Sequence, residues 1–155
     1  MPKETMTRHA ADNVYLHQDF HGALSHGIDY LHRQFGAAAV REYLWQFATA
    51  YYAPLKDDLK RRGLAAIQEH VERIYRTEGA AVQCTGTADE LRIEVPACPA
   101  VMHLRGQGAP VAELFYETTR TVNDAICDGT PFAAELVAYE PATGRSSQRF
   151  YRRPS

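Results

Sequence analysis

After Gly79 the periodicity of this 155-residue chain changes, and that change restricts its fold more than any single residue does. Up to that point apolar side chains return at helical spacing. Leu16, Phe20, Leu24, Ile28, Leu31 and Phe35 fall on one stripe at roughly 100° per residue, so a helix is read over 13–35, with Gly36 placed to end it. The next segment, 37–52, repeats the pattern through Val40, Leu44, Phe47 and Tyr51. Trp45 and Tyr52 point toward its flank, where another element or another subunit would meet them. Pro54 suits the first turn of a third stretch because its missing N–H costs nothing there. Gly63 breaks or bends that stretch before Leu64, Ile67, Val71 and Ile74 resume the period. Glu69 with Arg73, and Glu72 with Arg76, mark the wet side, where each pair contributes only about 0.2–0.5 kcal/mol.

Beyond Gly79 the period is two. Residues 81–85 and 91–95 alternate around the turn-prone Gly86-Thr87-Ala88-Asp89, which reads as a hairpin. Arg92 and Glu94 fall on one side and Leu91, Ile93 and Val95 on the other. The sheet is therefore expected to be wet on one face and packed against helices by the other. Pro99 stops the second strand because it brings no N–H to the ladder, yet it is tolerated in the first turn of a helix. Residues 112–127 return to helical period through Phe115, Thr119, Val122 and Ile126, with Gly129 as the stop. The runs 132–140 and 145–151 then flank Pro141-Ala142-Thr143-Gly144, a loop whose glycine can take positive φ. This order predicts an α+β fold: N-terminal helices packed on one face of an antiparallel sheet, a Cys-Pro junction, a long later helix and a C-terminal hairpin. No repeat, low-complexity run or linker divides it, so one domain over 1–155 is expected, with 1–12 as a flexible arm. A chain of this length buries roughly 70% of the surface its unfolded form exposes.

Charge and cysteine usage exclude several classes of partner. The 17 Lys plus Arg and 19 Asp plus Glu give a formal charge of -2, which offers no overall pull toward nucleic acid or an anionic membrane. Arg145, Arg149, Arg152 and Arg153 make one local basic run, read as solvated or paired arginines on the last hairpin. Met1 to Ala11 is polar and lacks the apolar centre of a secretory signal, and no run approaches the ~20 apolar residues of a membrane span. Cys84, Cys98 and Cys127 leave one thiol unpaired and match no paired C-x-x-C zinc spacing. Reduced thiols in the cytoplasm are expected.

Three groups of residues carry candidate chemistry. Cys98, next to Pro99, falls near a helix N-cap, where backbone N–H groups favour a thiolate and lower the thiol pKa. His103, five residues on, is the candidate base. His17-x-x-x-His21 places two imidazoles on adjacent turns, the arrangement helical metal sites use. They are the expected ligands of a divalent metal, if one is bound, with His103 or Cys98 as third; otherwise they are hydrogen-bonded histidines at the core edge, and no other cofactor is expected. Projection of the later helix sends Glu113, Glu117, Arg120 and Asp124 opposite Phe115, Val122 and Ile126, which reads as a solvated face. If that side borders a cleft, Glu117 becomes a general acid or base and Arg120 a bidentate clamp for a carboxylate. Arg105-Gly106-Gln107-Gly108 reads as a flexible connector, and there is no G-x-S-x-G and no H-E-x-x-H.

Residues 93–151 carry a strand running into Cys98-Pro99, a helix ending near Ala125-Ile126-Cys127-Asp128-Gly129, and two strands around Thr143-Gly144. In this they resemble the superfamily that contains 4-vinyl reductase domains and the L-2-amino-thiazoline-4-carboxylate hydrolase family. The resemblance implies helices on an antiparallel sheet, a homodimer, and a small-ligand pocket between helices and sheet with Cys98 as its site residue. The 4-vinyl reductase pattern often has further cysteines on its last hairpin. Their absence here argues against an iron-sulfur or metal-thiolate role.

The expected function is hydrolysis of an amidine- or amide-like C–N bond in a small, carboxylate-bearing substrate. Cys98 attacks, His103 shuttles the proton, Glu117 assists, Arg120 holds the carboxylate, and Tyr116 and His21 border the substrate. The alternative is a sensor-type module that binds a small ligand without turnover, in a pocket lined by Tyr30, Tyr43, Phe47, Tyr51 and Tyr116 and edged by His21. A third possibility is a structural role in an oligomer, through Trp45 and Tyr52.

Overall fold

The computed structural model describes residues 19–155. Four helices come first: α1 (Asp19–Phe35), α2 (Ala37–Tyr51), α3 (Ala53–Arg62) and α4 (Leu64–Thr77). Pro54 lies in the first turn of α3, as its chemistry requires. Between α3 and α4 the chain turns at Gly63, whose φ of 71° lies in the left-handed region that a residue with a Cβ avoids. Lys60, Arg61 and Arg62 fill the last turn of α3, where positive charge complements the helix dipole. Asp58 ties two of them down, accepting from Arg61 at 2.5 Å and from Arg62 at 2.9 Å.

The sheet follows from the alternation beyond Gly79. Its strands are β1 (Gln83–Gly86), β2 (Glu90–Val95), β3 (Phe132–Glu140) and β4 (Arg145–Arg152), in the order β1-β2-β4-β3 with every pair antiparallel. The register sets Leu91 opposite Phe150, Ile93 opposite Gln148 and Val95 opposite Ser146. These six side chains share the buried face, and the helices cover it. On the other face Glu90 accepts from Arg92 at 2.8 Å and from Arg149 at 3.0 Å. Arg152 donates to Asp89 at 2.7 Å, and Arg153 to the Phe132 carbonyl at 2.8 Å. The arginines at 149, 152 and 153 are thus engaged within the hairpin region.

Two helices lie between the hairpins, α5 (Pro99–Gly106) and α6 (Glu117–Cys127). The helical period read from Ala112 onward does not start a helix there. Ser25 Oγ on α1 takes the Ala112 N–H at 2.9 Å, and the N–H groups of Phe115 and Glu117 reach back only three residues, to Ala112 and Leu114. Tight turns therefore precede α6, while Leu114 and Phe115 still enter the core. α6 then packs against α2, whose buried Val40, Leu44 and Ala48 recur four residues apart, and against β3. Ala48 on α2 and Ala125 on α6 are both buried. No helix among the described residues is long and apolar enough to cross a membrane.

The β3–β4 turn is fastened to the start of α5. Cys98 N–H donates to the Thr143 carbonyl at 2.9 Å, and Gly144 lies directly beneath Cys98 and Val101. A Cβ on Gly144 would collide with the Cys98 Cβ and come within 2.9 Å of Val101 Cγ2, and φ is +68° besides. Gly144→Ala should therefore cost about 2–5 kcal/mol in urea unfolding, from overpacking plus left-handed strain. Gly129→Ala, at φ +72° with open space around it, should cost only the strain, about 1–2 kcal/mol. Equal costs at the two positions would show that the turn does not bear on α5.

Candidate functional site

α1 crosses α5 where Gly22 meets Leu104; a Cβ on Gly22 would lie 3.8 Å from Leu104 Cδ2. That crossing brings the residues beside it, His21 and His103, to the same side. Their ring centroids are 6.1 Å apart and tilted by 60°. α4 ends at Glu78, the chain turns at Gly79, and the Glu78 carboxylate points back so that its Oε1 lies 3.6 Å from His21 Nε2. These three residues line an open cleft of about 470 Å³, together with Ala80, Ala97, Pro99 and Met102.

Glu78 was not among the residues singled out from the sequence. The signal was present. An acid at the end of a helix faces the negative end of the macrodipole, a placement that helices disfavour. His17 lies outside the described residues, and with it the expected His17–His21 pair; the imidazole found beside His21 is that of His103.

Cys98 stands at the N-cap of α5, as its position before Pro99 requires. Its neighbours Ala97 and Pro99 line the cleft, whereas its own side chain does not and packs instead over Gly144. The expected lowering of its pKa is reversed. Burial pushes the thiol up; the N–H groups of Val101 and Ala100 pull it down by less, and Glu78 adds to the rise. Tyr139, pushed up to about 12 by burial and then by Cys98, belongs to the same surroundings. Cys84 and Cys127 are also raised, to about 11 and about 12, chiefly by burial.

The reading of Glu117 as part of a solvated face is also overturned. Its side chain is 0% exposed. Thr121 Oγ1 donates to Oε2 at 2.6 Å, Arg120 Nε donates to Oε2 at 3.2 Å, and Arg120 Nη2 reaches Oε1. Arg41 comes across from α2 to within 3.8 Å of Oε1. The packing of α2 on the start of α6 encloses the carboxylate, and two half-exposed arginines compensate it. Arg120 also lies 5.2 Å over the Tyr116 ring, which sits 5.8 Å from Tyr139. Glu117, Arg120 and Tyr116 thus form one group, and none of them lines the cleft of His21 and His103.

The tyrosine-lined pocket does not form as expected. Tyr30, Tyr43 and Tyr51 are 57%, 48% and 54% exposed and lie outside the cleft. Phe47 stacks on Tyr51 at 5.2 Å, Tyr51 meets Tyr52 edge-on, and Tyr52 meets His70 of α4 edge-on at 5.5 Å. Tyr52 therefore finds its partner within the chain, while Trp45 remains exposed. The chain matches no known protein-family model, and no curated protein matches it.

Two outcomes test this arrangement. Because its folded-state pKa is raised, the Cys98 thiol should react with iodoacetamide more slowly than free cysteine at neutral pH. Its rate should reach half-maximum only above the usual thiol pKa, and a curve displaced toward acid would show that the N–H groups outweigh burial. Glu117→Ala, which removes the acceptor of Thr121 and Arg120, should cost about 2–4 kcal/mol in urea unfolding. A loss below about 0.5 kcal/mol, the range of ordinary surface changes, would mean that the carboxylate does not bind α2 to α6.

Proposed function

We propose that this protein is a small-molecule hydrolase that opens an amidine- or amide-like C–N bond of a compact, carboxylate-bearing substrate. The observation that carries the reading is the convergence of two imidazoles and a carboxylate on one open cleft. Glu78 Oε1 faces His21 Nε2 at 3.6 Å. His103 stands across the gap, so one imidazole can take a proton from an attacking water while the other delivers one to the departing nitrogen. The cleft volume, about 470 Å³, falls in the range of sites for small organic ligands.

In this reading water is the attacking group and not the thiol. A nucleophilic Cys98 needs a populated thiolate and a path to the substrate. Burial acts against the first, and the packing of its side chain over Gly144 acts against the second. Arg120, the expected clamp for the substrate carboxylate, is engaged with Glu117 instead.

The test is turnover of L-2-amino-thiazoline-4-carboxylate and a panel of cyclic amidines and cyclic amides, with the ring-opened product identified by mass spectrometry as one water heavier. His103→Ala should lose at least about 100-fold in kcat/KM, the usual contribution of a positioned acid or base, while Cys98→Ala stays within a few-fold of wild type. Loss of turnover in a folded Cys98→Ala protein would restore the thiol as nucleophile. The binding-module alternative draws on the same raised thiol pKa and on Met102 and Pro99 in the cleft lining. It wins if these compounds raise the melting temperature while none is consumed.

A further inference from the structure

We propose that the cleft between the α3–α4 turn and the β1–β2 turn binds a small phosphomonoester, with Lys60, Arg61, Arg62 and Arg152 as the groups that hold its phosphate. This goes beyond the hydrolase reading, since the cleft shares no lining residue with that of His21 and His103. Its volume of about 560 Å³ falls in the range of sites for small organic ligands.

Four cations line this cleft and no carboxylate does. By contrast, Glu78 lines the cleft beside His21, Asp29 the one beside His26, and Asp58 with Glu69 the one beside His70. The three arginines are already held, each by an acid outside the cleft lining. Asp58 accepts from Arg61 and Arg62, Glu69 from Arg62 at 2.6 Å, and Asp89 from Arg152 at 2.7 Å. Lys60, exposed beside them, completes the set. Four cations against three acids leave one positive charge over. The pairs are partly or fully exposed, and such pairs contribute so little that the guanidinium groups can turn to a stronger acceptor at small cost.

The donors select a phosphate. Each guanidinium offers five N–H groups in a planar fork that suits phosphate oxygens, and the acids leave part of each fork unused. Arg62 keeps its Nε, and Arg152, which meets Asp89 through Nε, keeps both terminal nitrogens. The Phe132 ring, 4.7 Å from the Arg152 central carbon, supports that fork from below. Thr87 adds a neutral donor. Its oxygen accepts the N–H groups of Asp89 at 3.2 Å and Glu90 at 3.3 Å, which leaves the hydroxyl proton for a ligand oxygen. α4 starts in the same lining with no acid in its first turn, so its dipole reinforces the four charges that define the site. Leu91, Pro131 and Phe132 supply an apolar part of the lining for the organic group of the ester. The formal charge of -2 argues against a nucleic-acid backbone as the source of the phosphate.

The experiment uses the full-length protein at low ionic strength and about pH 7.5, where a phosphomonoester has lost its second proton. Phenyl phosphate is the probe, followed by calorimetry and by its phosphorus NMR resonance, with phenol and inorganic phosphate as comparisons. It should bind saturably at one equivalent and more tightly than inorganic phosphate, while phenol does not bind. Lys60→Gln and Arg61→Gln should each weaken binding at least about threefold, and together about tenfold, as independent charges do. Arg33→Gln removes an exposed charge from α1 and should leave binding unchanged. Circular dichroism of each variant confirms folding, and the exposed Lys60 and Arg61 carry the test even if Arg152→Gln fails to fold. The proposal is overturned if phenyl phosphate shows no saturable binding, if the double variant binds as wild type, or if Arg33→Gln weakens binding as much as the changes at Lys60 and Arg61 do. Equal affinity for inorganic phosphate would make this a site for the bare anion, and equal affinity for phenol a site for the ring, and either result also overturns it.

Discussion

The β3–β4 turn holds α5 in place through one hydrogen bond and one missing side chain. Thr143 accepts the Cys98 N–H, and Gly144 has no Cβ to push the helix away. β2 ends at Val95, just before Pro96, and Pro99 opens α5, so the direction in which that helix leaves the sheet depends on this contact. His103 rides on α5, and α1 crosses the same helix at Leu104. The placement of the imidazoles therefore traces back to a glycine more than forty positions away in sequence, on the other hairpin.

A buried carboxylate does comparable service between α2 and α6. Glu117 joins α2 to α6 through Arg41, Arg120 and Thr121, and a charge removed from water is tolerated only because its oxygens are so well occupied. The polar residues that a linear reading gathers into one constellation are thereby divided. Cys98 is a capping thiol pressed on a turn, Glu117 with Arg120 is a structural clamp, and the open chemistry is left to His21, Glu78 and His103. Proximity in sequence, as between Cys98 and His103, did not become a shared cavity wall.

Much of the architecture was legible from periodicity. The stripe through Val40 and Leu44, the alternation of Leu91, Ile93 and Val95 against Arg92 and Glu94, and the breaks at Gly36, Gly63 and Gly129 all follow from local rules that the packing respects. The start of α6 was not legible, because Ser25, eighty-seven residues earlier, captures the Ala112 N–H. The burial of Glu117 was hidden for the same reason: a projection of one helix shows which side is polar, but not that another helix will cover it. The pKa of Cys98 depends on a balance between backbone N–H groups, which sequence position reveals, and burial, which it does not. Glu78 could have been noticed as an acid at the wrong end of a helix, yet its partners come from elements that only the tertiary fold brings near.

α1 is shallowly rooted. Ser25 and Ile28 are its fully buried side chains among the described residues, and its hold on the rest runs through α2, the Gly22–Leu104 crossing and the Ser25–Ala112 bond. Elements with so few interior anchors open at a smaller free-energy cost than the body they rest on. One bank of the cleft is thus the part most readily peeled back, while the other bank is braced by the sheet. Any guest that touches both banks would splint the helix, and part of its affinity would be spent on stilling that motion.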